Sequence, residues 1–322
     1  MKLLRSRPAT WLFASENAEW LVALRLGAAI EVICYCLSLR FDWLQFFALS
    51  ATGPIKRDIF EATLRDAGGW VPTMSWIVQV FGTCGITEVA ALNFAWWALF
   101  VSGVLLLVGL FSREAALLAW FIHLCSVKSS GSLAYGVDSL TTMTLFFAAI
   151  APFPDFWSLD WRRTRSRKSP NWQGFMRRIL QFQLCIIYLF GGIAKSAGEG
   201  WWDGTALWRA LIRPPFNHLS PDVLIHFRVF LPAAGIAVCF LEVTYPVFIW
   251  LRRTRRIWLW SILAMHVGIG LAMGLYSFAL AMITLNVAAF GDRAMLPQWI
   301  LRIYVRDFTR PLRTRMRRST SR

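Results

Sequence analysis

The sequence predicts an all-α, polytopic integral membrane protein with about eight transmembrane helices and additional interfacial helices. Hydrophobic residues make up 57% of the 322 residues, and the mean hydropathy is +0.50. Charged residues make up only 16%, whereas soluble domains carry about a quarter. Most basic residues fall in short clusters between apolar segments, as topology determinants do. The net charge of +16 therefore indicates membrane orientation, and no nucleic-acid partner is predicted.

Eight apolar segments have the length and low charge expected of membrane-crossing helices. They lie at about residues 19–39, 86–111, 115–127, 137–153, 175–196, 229–251, 257–273 and 278–290. The polar stretch at residues 40–69 predicts a turn and a short amphipathic helix at the membrane interface, with Trp43 and Trp70 as anchors. Residues 70–81 are too short to cross, and a tight turn is predicted at residues 112–114.

Both termini are predicted to be cytoplasmic, because the basic clusters lie before the first span, after the fourth and sixth spans, and in the tail. The chain then divides into a cytoplasmic segment (1–17), a membrane domain (18–292) and a basic cytoplasmic tail (293–322). The N-terminal segment has no continuous apolar core followed by a cleavage site, so we expect it to be retained. The expected location is the cytoplasmic (inner) membrane of a bacterium.

The six cysteines lie almost entirely inside apolar segments. They form no CxxC pair and no Cys/His ligand spacing. We therefore predict neither disulfide bonds nor a bound metal.

Several ionisable residues fall inside the predicted spans, where charge is costly. Arg25 is near enough to the cytoplasmic end of its helix to extend its charge to the headgroups. Glu31 lies near mid-span, and a polar contact to a neighbouring helix is favoured over a functional role. His123 is interpreted as a helix-packing histidine with satisfied hydrogen bonds. Asp138 either faces water at a helix N-terminus or lines the same cavity as Lys195.

Lys195 is the main functional candidate, because it ends the fifth span within IIYLFGGIAKSAGEGWWDG. Burying a charge at such a depth costs about 2.5–3.5 kcal/mol on insertion scales, so an ionisable residue there suggests function. The alternative is a lysine that extends from the helix end to the membrane surface. Asp138, Glu242 and His266 are predicted as neighbours of Lys195 in one cavity.

Four stretches carry a resemblance to a known family. They are RLGAAIEVICY followed by GPI, GLFSREAALLAWFIHL followed by AYGVDSL and WSLD, IIYLFGGIAKSAGEGWWDG, and FLEVTYPVFIWLRRTRR followed by MHVGIGLAMGLYSF. In this order they resemble the horizontally transferred transmembrane (HTTM) domain family over roughly residues 18–292. The best-known member of that family is the vitamin K-dependent γ-carboxylase.

The resemblance implies a role for Lys195. In the carboxylase, a lysine in a YxxxGxxK-type stretch before a W-x-x-G segment is the base that deprotonates vitamin K hydroquinone. The residues that match are Tyr188, Gly192, Lys195, Trp201 and Gly204. Such a base must be neutral, and burial in an apolar site favours the neutral amine. The resemblance also implies a reduced quinone as cofactor, bound by Tyr188, Gly192, Trp201 and Trp202.

Two functions remain open. The first is a quinone-dependent membrane oxidoreductase or carboxylase-like enzyme that uses Lys195 as base. The second is a non-catalytic membrane partner in the maturation or export of a secreted peptide or protein. A transporter is less favoured, because the sequence shows no matched pair of interrupted spans.

Overall fold

The computed structural model describes residues 7–16, 19–49, 57–66, 70–131, 134–164 and 170–292, and this part of the chain is helical, without strands. The helices are α1 (Arg7–Leu12), α2 (Glu19–Ser38), α3 (Trp43–Phe47), α4 (Arg57–Asp66), α5 (Met74–Gly82), α6 (Glu88–Val108), α7 (Ser112–Ser129), α8 (Gly136–Ile150), α9 (Leu159–Thr164), α10 (Pro170–Ser196), α11 (Thr205–Ile212), α12 (Pro221–Phe227), α13 (Leu231–Phe248), α14 (Arg255–Met273) and α15 (Tyr276–Phe290). The predicted tail at 293–322 and the first six residues lie outside the described ranges.

Each predicted span corresponds to one long helix. In the described part of the chain, five helical segments are long and apolar enough to cross a membrane, namely α2, α6, α10, α14 and the continuous run from α12 to α13. Helices α8 and α15 are apolar but have 15 residues each. At 1.5 Å per residue they extend about 22 Å, which is less than the ~30 Å hydrocarbon core.

The long helices pack as two groups that share α15. In the first group, α2 packs against α6, α8 and α15, while α7 packs against α6 and α8. In the second group, α10 packs against α13 and α15, and α14 packs against α13 and α15. Helix α15 is therefore the element through which the two groups are joined.

Two short connections, between α6 and α7 and between α14 and α15, reverse the direction of the chain. Gly109 ends α6 and Gly274 ends α14, each with a positive φ (71° and 69°) that glycine adopts without strain. The N-termini of α2, α7, α10 and α14 lie at one end of the bundle, which we call the basic end. The C-termini of the same helices lie at the opposite end, which we call the Lys195 end.

Arg25 does not extend to a membrane surface as predicted. Its guanidinium is buried and donates two hydrogen bonds to Asp155, at 2.6 and 3.2 Å. It also donates to the carbonyl oxygens of Leu106 and Leu107 at the C-terminus of α6. An arginine that is paired with a carboxylate and hydrogen-bonded at all three guanidinium nitrogens has no need to reach solvent, so the prediction is wrong for this residue.

The segment between α2 and α6 is less exposed than predicted. Trp43 is buried, and its indole donates to the carbonyl of Leu92, so it is not an interfacial anchor. Trp70 is 91% exposed, as an anchor would be. Arg57 and Glu61 of α4, the predicted amphipathic helix, are both buried.

The predicted turn at residues 112–114 is helical, because α7 already begins at Ser112. The reversal of direction occurs just before it, at Gly109 and Phe111, which both have positive φ. Asp160 stabilises this start of α7 by accepting hydrogen bonds from the backbone of Phe111 and Ser112. The turn therefore lies about three residues before the predicted position.

Candidate functional site

Lys195 lies in the last turn of α10 and pairs with a carboxylate of α13. Its Nζ is 2.7 Å from Oε2 of Glu242. The lysine side chain is 29% exposed, whereas that of Glu242 is 8% exposed. The pair therefore presents the amine outward, at the Lys195 end, and holds the carboxylate between the helices.

Two glycines bring α10 and α13 close enough for this pair to form. A Cβ at Gly192 would lie 2.7 Å from the backbone nitrogen of Val243 and 2.9 Å from Cβ of Glu242. At Gly191, a Cβ would lie 3.4 Å from Oε2 of Glu242 and 3.6 Å from Nζ of Lys195. The absence of side chains at both positions leaves the ion pair directly beside the α10 backbone.

The segment after α10 turns back over the amine. The Nζ of Lys195 lies 5.7 Å from the ring centroid of Trp201, within the range of a cation–π contact. Gly204 begins α11 with a φ of 83°, and a Cβ there would meet Leu231 and Pro232 of α13. The predicted GWWDG motif therefore places one tryptophan ring beside Lys195.

Asp203 fixes the entry into α11. Its Oδ1 accepts hydrogen bonds from the backbone nitrogen of Thr205 at 2.8 Å and from the hydroxyl of Thr205 at 2.7 Å. These two bonds hold the pKa of the exposed Asp203 carboxyl below its usual value, because they favour the charged form. The side chain thus stays ionised and orders the turn next to the site.

A buried hydrogen-bonded group lies deeper between the same helices. The hydroxyl of Tyr188 is 2.8 Å from Nε2 of His266 and accepts a hydrogen bond from Nδ2 of Asn286 at 2.7 Å. Tyr245 donates to Oδ1 of Asn286 at 2.8 Å. The group connects α10, α13, α14 and α15, and Nδ1 of His266 has no hydrogen-bond partner among the described residues.

Helical spacing connects this buried group to the ion pair. Tyr188 and Lys195 are seven residues apart on α10, and Glu242 and Tyr245 are three apart on α13. Residues at such spacings share one helix face. The site is therefore one polar face running from the Lys195 end towards the interior.

The structure brings together some of the predicted site residues. Lys195 and Glu242 are paired, Trp201 lies beside the amine, and His266 contacts the predicted cofactor residue Tyr188. Trp202 is half exposed, and its indole donates to the backbone carbonyl of Ser196. Its ring is not among those that contact the amine in the described part of the chain.

Asp138 is held elsewhere, at the N-terminus of α8. It accepts a hydrogen bond from the backbone nitrogen of Tyr135 at 2.9 Å, as the carboxylate of a capping box. In the described ranges, no hydrogen bond or ion pair joins it to Lys195. This is the helix-terminal role that the sequence left open beside the cavity role.

The remaining histidine of the spans, His123, bonds through Nδ1 to the hydroxyl of Thr142 at 3.0 Å. Its Nε2 lacks a partner among the described residues, so its hydrogen bonding is only half satisfied.

Two cavities lie away from Lys195. One of about 440 Å³ lies between α4 and α5, and one of about 360 Å³ lies beside Trp172 and Met176 at the basic end.

Sequence reasoning missed Tyr245, Asn286 and the partners of the buried charges. Tyr245 was detectable, because it follows Glu242 by three residues within one predicted helix. Asn286 was a polar residue in an apolar span, which is a similar signal. The pairing of Arg25 with Asp155 joins residues 130 positions apart, and nothing in the local sequence indicates it.

The apolar helices, the positions of the charged pairs and the composition define a polytopic integral membrane protein. The sequence pattern of the HTTM domain matches residues 68–290, which is more than half of the chain. The protein therefore belongs to the HTTM domain family. Neither a curated protein nor a solved structure matches the chain.

Proposed function

We propose that this HTTM-domain protein is a membrane enzyme that removes a proton from a reduced, quinone-type lipid. Lys195 is the base, and Glu242 is its proton partner. The observation that carries the proposal is the 2.7 Å contact between Nζ of Lys195 and Oε2 of Glu242, with the amine partly exposed. Buried structural charges such as Arg25 and Asp155 have no such exposure.

The residues around Lys195 suit a flat, apolar molecule that brings a weakly acidic hydroxyl to the amine. Trp201 supplies an aromatic face beside the amine. Gly191 leaves the ion pair uncovered by a side chain of its own helix. A bound reduced quinone would supply the weakly acidic hydroxyl, and the partly exposed Nζ would be the atom that receives its proton.

The ion pair sets the order in which protons move. An ionised Glu242 stabilises the ammonium of Lys195 and so opposes its action as a base. Exclusion of water by a bound lipid raises the cost of two separate charges, which favours transfer of the ammonium proton to Glu242. The neutral amine then accepts the substrate proton, leaving an ammonium beside a neutral carboxyl. The pair gains one proton in total.

The proposal includes a membrane arrangement in which all eight long helices cross and both termini are cytoplasmic. It is supported by the arginines of the basic end, which belong on the cytoplasmic side of a bacterial inner membrane. Lys195 then lies near the extracytoplasmic face. The short helix α8 packs against α2, α7 and α15, and α15 packs against helices of both groups, so protein covers much of both short helices.

The test compares Lys195 with Lys128, an exposed lysine of the described residues at the same end of the bundle. The purified full-length protein is mixed with reduced menadione, and proton transfer is followed through the anaerobic absorbance change of the deprotonated form and through oxidation in air. We expect Lys195→Ala to lower the rate by about 10²-fold or more, as loss of a general base does. Glu242→Gln should also lower it, whereas the exposed Lys128→Ala should not.

Thermal unfolding of each variant shows whether the fold is kept. Wild-type rates in Lys195→Ala and Lys195→Arg, with both variants folded, would overturn the proposal. A protein that co-purifies equally with wild type and both variants, without any quinol turnover, would favour the non-catalytic membrane partner instead.

A further inference from the structure

Glu31 differs from every other buried carboxylate in the described part of the chain. The buried acidic residues of this part of the chain are Glu31, Glu61, Asp155 and Glu242. The last three each lie within 4 Å of a lysine or arginine nitrogen. Glu31 has no such ion pair among the described residues, and neither of its oxygens has a hydrogen-bond partner in good geometry there. Its residue is 3% exposed.

Three threonine hydroxyls surround the Glu31 carboxyl. Thr141 and Thr144 come from one face of α8, and Thr284 comes from α15. All three hydroxyls interact with the carboxyl, although neither carboxyl oxygen has a hydrogen-bond partner of good geometry among the described residues. The site is therefore made of oxygen atoms from three helices, and one of the groups is a carboxyl.

The hydroxyl proton of Thr144 is already used. Thr144 donates it to the backbone carbonyl of Leu140 at 2.9 Å. Its oxygen can then only offer lone pairs towards Glu31. Lone pairs repel a carboxylate, whereas they coordinate a cation or accept the proton of a neutral carboxyl. An ionised Glu31 beside this hydroxyl therefore needs a positively charged occupant between them.

Gly27 fixes the distance between α2 and α15 at this place. A Cβ at Gly27 would lie 2.1 Å from Cγ2 and 2.2 Å from Oγ1 of Thr284. The glycine is one helical turn before Glu31, so it allows Thr284 to approach the face of α2 that carries the carboxyl. The close approach of the third oxygen ligand thus depends on a residue without a side chain.

We propose that Glu31, Thr141, Thr144 and Thr284 form a binding site for a monovalent metal cation of the size of Na⁺. A hard cation prefers oxygen ligands, and carboxylate, hydroxyl and carbonyl oxygens provide them. One carboxylate and one monovalent cation give a neutral complex, whereas a divalent cation would leave net charge buried in the bundle. The cation offsets the cost of an unpaired buried carboxylate. The site lies in the first group of helices and does not depend on the reaction proposed at Lys195.

The binding test uses the purified full-length protein in detergent and radioactive Na⁺ as the probe. We expect saturable binding of one Na⁺ per protein, and a melting temperature that is about 3 °C or more higher in NaCl than in choline chloride of equal ionic strength. Glu31→Gln keeps the side-chain size but removes the charge, and it should abolish both effects. The exposed Glu199→Gln at the Lys195 end should change neither.

Thr284 provides a second comparison if Glu31→Gln does not fold. Thr284→Val removes the hydroxyl at similar volume and should raise the half-saturating Na⁺ concentration about tenfold, while Thr284→Ser should keep the wild-type value. The absence of Na⁺ binding in the wild-type protein, with equal melting temperatures in the two salts, would overturn the proposal. Glu31 would then be a neutral carboxyl that carries a proton.

Discussion

Tyr188 is the residue at which the buried hydrogen bonds of the second helix group converge. Its hydroxyl forms hydrogen bonds with both His266 and Asn286. Its ring lies against that of Tyr245, with centroids 4.2 Å apart. Since both tyrosines are buried, each hydroxyl needs a protein partner, and Asn286 serves both.

Removing this hydroxyl is expected to destabilise the protein. Tyr188→Phe leaves Nε2 of His266 without a partner, and Nδ1 already has none among the described residues. We expect a loss of about 1–3 kcal/mol, the cost of an unsatisfied buried polar group. Thermal unfolding in detergent measures this loss of stability. The control is Tyr276→Phe, because Tyr276 is 59% exposed. Equal melting temperatures of Tyr188→Phe and wild type would contradict this account.

At the residue scale, the sequence indicates which charges are unusual but not what they contact. The cost of charge in an apolar span singled out Lys195 and Glu31 correctly as buried or half-buried groups. Glu242 lies 47 positions from Lys195 in the sequence. It is predicted as a neighbour of Lys195 only because a carboxylate inside an apolar span is also costly to bury. Asp138 had the same sequence signal but serves as a helix cap. The free-energy cost of burying a charge therefore does not by itself distinguish a residue of the functional site from a structural one.

At the element scale, the contact between α10 and α13 determines the geometry of the candidate site. Gly192 is buried at the crossing, against Glu242 and Val243. Small residues at such crossings let helix backbones approach closely. The Lys195–Glu242 distance is therefore a consequence of the helix packing as well as of the two charges.

A methyl group at this crossing is expected to separate the helices. Gly192→Ala would place a Cβ 2.7 Å from the backbone nitrogen of Val243, which cannot move independently of α13. We expect destabilisation of about 1–3 kcal/mol, as for other overpacked contacts. Quinol turnover should fall as well, since the ion pair is displaced.

Gly268→Ala is the matched control for this substitution. Gly268 lies within α14, and a Cβ there would have no atom within 4 Å. Alanine is the better helix former by about 1 kcal/mol, so this variant should be at least as stable as wild type. Thermal unfolding of both variants makes the comparison. A Gly192→Ala protein as stable as Gly268→Ala would show that the crossing tolerates a side chain.

The sequence predicted the helices better than the connections between them. Apolar length identified each long helix to within a few residues, because charge and turn residues bound these segments clearly. The polar composition of residues 40–69 predicts a segment at the membrane interface. Arg57 instead pairs with Glu88 at 2.8 Å and with Glu61 at 3.8 Å, so its charge is satisfied inside the protein. Composition does not distinguish charges that face solvent from charges that neutralise each other.

At the scale of the whole molecule, α15 separates two polar groups while joining the helices that contain them. Thr284 faces Glu31 and Gly27, whereas Asn286 faces Tyr188 and Tyr245. Two residues apart on a helix, these side chains point about 200° apart. Each group of helices thus has its own buried polar centre, and α15 contributes one side chain to each.

The charge distribution between the two ends gives a prediction for the whole molecule in the membrane. If the basic end is cytoplasmic, residues of the Lys195 end must be accessible from outside the cell. Asn217→Cys, exposed in the segment after α11, should react with a membrane-impermeant maleimide in intact bacterial cells. Arg162→Cys, exposed in α9 at the basic end, should react only after the membrane is permeabilised. Both are made in a background with Cys34 and Cys84 changed to serine, because these two native cysteines are exposed. The reverse labelling pattern would place Lys195 near the cytoplasm, and labelling of both variants in intact cells would rule out the proposed crossing between α9 and α11.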